Sequence, residues 1–535
     1  MADRSAENHF LSLLQPSFRK HADALVFRPY IGRNDKWDSV TYRDLERRLV
    51  VSRSVWESRF AGLDIKTSDI VGLWLTGRRL TDLVNTIAIS ALGYTPQLFG
   101  GAFNNSAMIF DLLHKSDGKA FVVDPIHNSQ LSNTNDIPTF PTVDDNDMVK
   151  AIESVLARDG EGALIFDKIP AVSLDDTAVF FHSSGTTGGL PKIIPNTFKM
   201  LRTVIKDKWP AAHSKPVKGR QLVVNTLGNL AHIGSFHGFL RAVYTGSCVA
   251  QSSSMSTPPA EFLGLVRVCS LTRLVQYATF LSDLIRAAQQ DEDIKEALKG
   301  LTEILHTGVA LNKEDEEWAR ANGIKIVTVY STTETAPLLI SGTGTGLSDR
   351  LLRPIPGANP EFMPYEHLED PSSGDRKLYE IVMRPPAPDC PPEVLRSADG
   401  IFHTNDLFEQ VEEGGWVYRG RAGDWIKVVD GFCDTKNIED NIRSECSDIV
   451  HDVVVVGTHR KYPCFVVESA MKGLDNDRRE NVAREIVTRM ASFNERQFAH
   501  ERVQDPKRIL IVEQGTLPRT KASSYLTGDS PCQQR

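Results

Sequence analysis

The chain has 535 residues, of which 41% are hydrophobic and 24% charged, so it is long enough for more than one domain and has the composition of a soluble globular protein. Its net charge of −8 argues against nucleic acid or an anionic membrane as the main partner, and no apolar run approaches the ~20 residues that span a bilayer. The polar start lacks the apolar core of a signal peptide, and seven scattered cysteines form no Cys-x-x-Cys pair, so we expect a cytoplasmic protein.

Up to about residue 350, short apolar strands alternate with amphipathic helices, which predicts an α/β fold with mixed sheets. The apolar runs predicted to be strands are residues 69–75, 120–123, 178–181, 221–224, 302–306 and 324–330. Helices are predicted to begin after Thr41, to run from about Leu80 to Leu92, and to occupy residues 312–322. Residues 127–147, rich in Asn, Asp, Ser, Thr and Pro, are predicted to be an excursion on the surface.

From about residue 350 the prolines become dense and the apolar runs shorter, which predicts a β-rich subdomain that extends to about residue 420. Beyond Asp424 the pattern predicts a small α+β domain. In chain order we predict a strand at 425–429, a helix at about 436–446, strands at 453–456 and 465–468, a helix at about 477–498 and a strand at 508–512. Roughly a hundred residues of this kind can bury a core of their own, so we predict domains at 1–422 and 423–535.

The strand at 178–181 leads into the sequence His-Ser-Ser-Gly-Thr-Thr-Gly-Gly-Leu-Pro-Lys at positions 182–192. Glycines let successive N–H groups converge on one concavity, the hydroxyls add donors, and Lys192 adds a positive charge, which together suit a phosphate. The loop is not a Walker A motif, because no Gly-Lys-Ser/Thr follows at the required spacing. A polar surface loop is the alternative, since most such clusters are of that kind.

Six segments match the signatures of the adenylate-forming superfamily in order, and the chain is identified on them as a member. These segments are residues 41–45, 92–96, 184–192, 330–334, 402–406 and 420–427. The amino-acid sequences of residues 402–408 and 418–427 most resemble those of the adenylation domains of fungal adenylate-forming reductases. The resemblance implies a large N-terminal AMP-binding domain and a small mobile C-terminal domain, joined by a hinge near Gly423, with ATP and Mg²⁺ as cofactors.

The resemblance also implies roles for individual residues. The implied nucleotide contacts are Ser184, Gly185, Thr186, Thr187, Gly188, His232, Tyr330, Ser331, Thr332, Thr335, Asp406, Gly420 and Arg421. The implied catalytic residues are Lys521, Glu334 and Lys192, with Glu334 and Thr187 at the metal. The implied substrate pocket contains His232, Phe236, Gly308 and Val309. His237 matches no motif and is expected to be structural.

The chemistry explains why these residue types are required. When a carboxylate attacks the α-phosphorus of ATP, two anions approach each other, so the site must supply positive charge and hydrogen-bond donors. Glu334 suits Mg²⁺, a hard cation, and its alternative is a solvated glutamate after a strand. Asp406 suits two ribose hydroxyls, and its alternative is an aspartate in a turn. Arg421 suits ribose or phosphate oxygens, and its alternative is a surface ion pair. For His232 the alternative is a satisfied core histidine.

Three features depart from the family pattern. The phosphate loop has one residue more than usual, at Gly188-Gly189-Leu190. Gly423 stands where the hinge aspartate is expected, and glycine accepts any backbone geometry there. The C-terminal signature reads Pro-Arg-Thr-Lys-Ala-Ser-Ser from 518, which displaces the lysine by three positions to Lys521. The alternative for Lys521 is a solvated lysine on a frayed terminus.

The resemblance implies that the protein activates a carboxylic acid with ATP as an acyl-adenylate, releases pyrophosphate, and passes the acyl group to coenzyme A or to a carrier protein's phosphopantetheine, in secondary metabolism. Residues 226–240 contain no Asp or Glu to pair with an ammonium, so we predict an aryl or alkyl acid and not an α-amino acid. We expect no carrier or reductase domain in the chain. The alternative, favoured by Gly423 and the altered C-terminal signature, is a degenerate relative that binds nucleotide or acid without turnover.

Overall fold

The computed structural model describes residues 3–33, 36–100, 103, 105–131, 136–144, 147–148, 150–151, 154–155, 165–183, 191–211, 219–308, 310–365, 377–428, 431–457, 460–495, 497 and 501–517. These residues form two compact units. The first takes in the described residues up to Ser183 together with 191–360 and 383–402, and the second takes in those of 361–382 and 403–517. In the described part, no helix is long and apolar enough to cross a membrane.

A nine-stranded sheet organises the first unit. Its strands, in spatial order, are Arg353–Pro354, Ala336–Ile340, Ile326–Thr332, Glu303–Thr307, Arg273–Tyr277, Val223–Asn225, Cys248–Ala250, Leu25–Arg28 and Val40–Thr41. The six strands from Ile326–Thr332 to Leu25–Arg28 are parallel, and the strands at both edges are antiparallel. Parallel strands are covered on both faces, which explains why every residue of Val223–Asn225 and Cys248–Ala250 is buried.

A six-stranded sheet carries the segment that precedes the glycine-rich loop. Its strands, in spatial order, are Lys192–Thr197, Thr177–Ser183, Thr95–Phe99, Ile70–Trp74, Gly118–Val123 and Thr139–Pro141. The prediction for residues 127–147 is wrong in part, because Thr139–Pro141 extends this sheet as a parallel neighbour of Gly118–Val123. This strand is short and only partly buried at the edge of the sheet, so its composition resembles that of a loop.

The main α-helices of the first unit are Phe10–Lys20, Tyr42–Phe60, Leu80–Ala91, Ser106–Ser116, Phe198–Thr203, Trp209–Ala211, Ile233–Tyr244, Pro259–Arg267, Ala278–Gln290, Glu292–Gly300 and Lys313–Ala321. A π-helical turn, Val204–Lys208, joins two of them. Thr41 and Asp44 form a capping box where the second helix begins, and Gly93, with φ +92°, follows the end of the third. The three helices predicted for this unit are therefore confirmed.

The second unit contains three small sheets and three helices. The sheets are formed by Glu361–Pro364, Leu378–Met383, Phe402–Glu412 and Gly415–Arg421; by Trp425–Val428 and Gly431–Asp434; and by Val450–Val456, Cys464–Ser469 and Ile509–Val512. The helices are Thr435–Glu445, Asn476–Arg489 and Ala491–Asn494. The predicted order of elements after Asp424 is confirmed, with Gly431–Asp434 as an additional strand. The compact unit begins earlier in the chain than residue 423, and the hinge near Gly423 stays a prediction.

Candidate active site

Glu334 lies in the tight turn between strands Ile326–Thr332 and Ala336–Ile340, where Thr332 is opposite Ala336. Hydroxyl groups close this turn: Thr332 Oγ1 accepts the Thr335 N–H at 3.1 Å and lies 3.0 Å from Thr335 Oγ1. The Glu334 side chain is half-buried, and its carboxylate has no hydrogen-bond partner among the described residues. The turn therefore presents a carboxylate that is available to a cation.

A buried ion pair that sequence reasoning missed supports this turn. Lys208 Nζ donates to Thr335 O at 3.1 Å and lies 2.7 Å from Asp389 Oδ2, and both charged side chains are 0% exposed. Asp389 also accepts the backbone N–H and the side-chain amide of Asn359, at 3.1 and 2.9 Å. Burial lowers the pKa of Lys208, and the charge of Asp389 opposes that shift. Thr335, predicted to contact nucleotide, is itself fully buried and shapes the turn.

A cavity of about 80 Å³ is lined by helix Ile233–Tyr244 and by strands of the nine-stranded sheet. Most of its lining is apolar, and no lining residue is acidic. Thr307 and Ser331 line it from the ends of two neighbouring parallel strands, with their hydroxyl oxygens 3.4 Å apart. Since Ser331 follows Tyr330 in the segment that leads to Glu334, the cavity lies beside the predicted nucleotide residues of this unit.

The predicted pocket residues have mixed positions. His232 is exposed, and its Nδ1 accepts the Gly234 N–H at 3.2 Å, which caps the helix. Phe236 needs a correction, because its ring packs in the core against Phe181 at a centroid distance of 5.8 Å and does not line the cavity. Its helix instead presents Ser235, Gly238, Phe239 and Arg241 to the cavity. Gly308, with φ +97°, directly follows strand Glu303–Thr307, and a Cβ at this position would lie 3.3 Å from the Tyr277 ring.

Strands Thr177–Ser183 and Lys192–Thr197 pair antiparallel, with Ser183 opposite an exposed Lys192. Several predicted site residues lie outside the described residues, namely Ser184, Gly185, Thr186, Thr187, Gly188, Val309 and Lys521. The roles expected for them, and for Lys192 as a catalytic residue, stay predictions.

In the second unit, Asp406 is buried within a cluster of donors. Tyr418 donates its hydroxyl to Asp406 Oδ1 at 3.2 Å, and Arg421 Nε donates to the same oxygen at 3.3 Å from the directly opposite strand position. Burial, and after it the charge of Asp406, raise the pKa of Tyr418, so its hydroxyl stays protonated. Asp406 and Arg421, each predicted to contact the nucleotide, thus form an ion pair with one another in this unit, and Tyr418 is an additional member of the cluster. Their roles toward a nucleotide stay predictions.

Glu380 holds the segment that carries Asp406. Its Oε1 accepts the Asn405 N–H at 2.8 Å, and its Oε2 lies 2.9 Å from His403 Nδ1. Thr404 donates its hydroxyl to Ile381 O at 2.7 Å, and Asn405 has φ +59°. Gly420, with φ +93°, precedes Arg421 on the facing strand. These contacts fix the backbone on both sides of the carboxylate.

Each cluster, taken by itself, has the chemistry of a particular kind of ligand. Among the described residues no three His, Cys, Asp or Glu side chains converge on a metal position, so a Mg²⁺ at Glu334 would take its other ligands from phosphate and water. The Asp406 carboxylate is acceptor-only and suits two neighbouring hydroxyls, such as those of a ribose.

Residues 15–362 match the family model described as AMP-binding enzyme, and residues 433–528 match that of the AMP-binding enzyme C-terminal domain. Since the first match covers more than half of the sequence, the chain belongs to the AMP-binding enzyme family. The class predicted from the motifs, an ATP-dependent adenylating enzyme, is confirmed.

Among proteins of known sequence, the chain is similar to the AMP-binding domain-containing enzyme iboA of Amanita muscaria (strain Koide BX008). The two are 30% identical over 529 residues, which is 97% of this chain and 100% of that protein. Solved structures that share its fold include the following two. The anthranilate CoA ligase AuaEII in complex with anthranoyl-AMP has a TM-score of 0.69 at 15% identity over 97% of this chain and 95% of that one. The o-succinylbenzoate coenzyme A synthetase of Bacillus subtilis with ATP and magnesium has a TM-score of 0.67 at 15% identity over 97% and 98%.

Proposed function

We propose that the protein activates an aryl or alkyl carboxylic acid with ATP and then transfers the acyl group to a thiol. In the first step an oxygen of the acid bonds to the α-phosphorus, the bond from that phosphorus to the bridging oxygen breaks, and pyrophosphate leaves. In the second step a thiolate of coenzyme A or of a carrier's phosphopantetheine bonds to the acyl carbon, and AMP leaves. The observation that carries the proposal is the cavity, because Ser331 at its wall belongs to the segment that leads to Glu334.

The residues of the two units have distinct parts in this proposal. In the first unit Glu334 binds the metal, and Mg²⁺, when bound, offsets the charge of the phosphates. In the second unit Asp406 accepts the ribose hydroxyls, while Tyr418 and Arg421 fix its carboxylate. Lys192 and Lys521 supply positive charge to the phosphates and to the reacting carboxylate.

The lining of the cavity favours an acid without an ammonium group. Side chains such as Leu227, Phe239 and Val275 form most of it, and no lining residue is acidic. A buried ammonium without a counter-charge would cost several kcal/mol, enough to exclude an α-amino acid. An apolar aryl or alkyl group meets no such cost.

The test is release of pyrophosphate from ATP with a panel of aryl, alkyl and amino acids, followed by transfer to coenzyme A. We expect activity with an aryl or alkyl acid, and we expect Lys521→Ala to slow it by about 100-fold or more, as loss of one transition-state contact does. Transfer to the thiol from a pre-formed acyl-adenylate should change little. Lys507→Ala, which removes an exposed lysine, is the control. ATP binding without pyrophosphate release on any acid would favour the degenerate alternative.

A further inference from the structure

We propose that Arg241 binds a second anionic group of the substrate, so that the preferred acids are dicarboxylic. This inference rests on the proposed function, since it takes the cavity of the first unit to be the acid pocket.

Arg241 lies in the third turn of helix Ile233–Tyr244, and its side chain lines the cavity while being only 4% exposed. It is the one charged residue among those that line the cavity. Its guanidinium makes no hydrogen bond and no ion pair with any residue in the described part of the chain. A buried arginine normally has an anionic partner, because an unpaired buried charge is strongly destabilising.

The nearest charged groups do not neutralise Arg241. Glu303 attracts it, but that carboxylate is already paired with Arg273, Nε to Oε1 at 2.6 Å, with side chains 1% and 3% exposed. Two arginines and one carboxylate leave one positive charge in excess. Burial lowers the pKa of Arg241 to about 9, so the guanidinium remains charged at neutral pH. A substrate carboxylate would supply the missing counter-charge.

The dimensions of the cavity suit an acid with a carboxylate at each end. Gly234 and Arg241 both line it and are seven residues apart, so it follows the helix for about 10 Å. Phe239, Val275 and Val329 provide apolar surface within it, which matches a short hydrocarbon spacer. The fork of a guanidinium pairs with both oxygens of a carboxylate, which a hydroxyl or amide of the substrate cannot do equally well.

The experiment compares acids that differ only at the far end: succinate with butyrate, and glutarate with pentanoate. Pyrophosphate release is measured for the wild type, Arg241→Met, Arg241→Lys and Arg267→Met, the last being an exposed arginine whose side chain is 60% exposed. We expect the wild type and Arg267→Met to prefer the diacid by at least about tenfold in kcat/KM, Arg241→Met to prefer the monoacid, and Arg241→Lys to keep part of the diacid preference.

An unchanged ratio of diacid to monoacid activity in Arg241→Met overturns the proposal, since an arginine with a purely structural role would alter stability and not this ratio. If ATP releases no pyrophosphate with any acid, the proposed function fails. A thermal-shift measurement then tests whether Arg241 binds a carboxylate. A rise in Tm on adding glutarate to the wild type that is absent in Arg241→Met supports it, and equal Tm values with and without glutarate overturn it. If Arg241→Met does not fold, the wild-type ratio and that of Arg241→Lys decide.

Discussion

Removal of Asp389 is expected to destabilise the first unit by about 3–5 kcal/mol, the cost of leaving one member of a buried ion pair alone. Lys208 and Asp389 are both 0% exposed, so water cannot replace the lost carboxylate. In Asp389→Ala the Lys208 ammonium keeps only the carbonyl of Thr335, and two donors of Asn359 lose their acceptor. Asn359 is exposed, so water can replace the acceptor that its two donors lose, and the expected loss comes from the buried Lys208 ammonium.

Chemical denaturation at pH 7 measures this loss, and an exposed ion pair provides the matched control. Asp23→Ala breaks the ion pair between Asp23 (87% exposed) and Arg43 (52% exposed), and it should lower the free energy of unfolding far less than Asp389→Ala does. The double variant Lys208→Met/Asp389→Leu should be more stable than either single variant, because it removes both charges and keeps the volume filled.

If Asp389→Ala lowers the free energy of unfolding no more than Asp23→Ala does, the buried pair does not stabilise the first unit. A double variant no more stable than the singles would equally show that an unpaired charge is not the cause. Because Lys208 holds the carbonyl of Thr335, the double variant should also raise the Mg²⁺ requirement of pyrophosphate release through the turn that carries Glu334.

Glu334→Gln should lower kcat and raise the Mg²⁺ requirement, whereas Asp406→Ala should raise the KM for ATP; a kcat/KM for ATP within about twofold of wild type would contradict either role. Burial raises the pKa of Asp434 from 3.8 to about 7, so the stability it contributes is present below pH 3.8 and lost as pH rises through 7. Asp434→Asn, which keeps a capping oxygen, should flatten the pH profile of unfolding in that window. Burial lowers the pKa of His9 from 6.5 to about 3, so its contribution is present above pH 6.5 and lost on acidification towards pH 3; His9→Asn should reduce that loss, which unfolding at stepwise lower pH would measure.

Periodic apolar patterns were sufficient to predict the order of most elements after Asp424, and motif spacing was sufficient to place Glu334 just beyond the end of a strand. The supports of Glu334 and Asp406 could not be predicted in the same way. Lys208 is far in sequence from Asp389, and Glu380 is far from Asn405, whose backbone it holds. Each of these charged residues alone resembles an ordinary surface residue. Their partners become visible only once the chain is folded.

The sequence also could not predict which face of helix Ile233–Tyr244 lines the cavity. Nearly all of its residues are buried, so no polar stripe distinguishes the side toward the core from the side toward the cavity. Phe236 was therefore predicted as a residue of the substrate pocket, whereas Phe239 and Arg241 line the cavity. A charged residue in so buried a helix was the signal that could have indicated a ligand.

The pairing of Ser183 with Lys192 determines where an inserted residue would alter the sheet. From that pair the two strands run in register, with Phe181 opposite Ile194 and both side chains buried. A residue added between Ser183 and Lys192, such as the extra one in the Gly188–Leu190 stretch, changes only the length of the connection. A residue added within either strand would instead turn the later side chains to the opposite face of the sheet, or need a bulge such as the irregularity between Asn196 and Thr197 to absorb it. A change in length between Ser183 and Lys192 therefore leaves the register of the two paired strands unaltered.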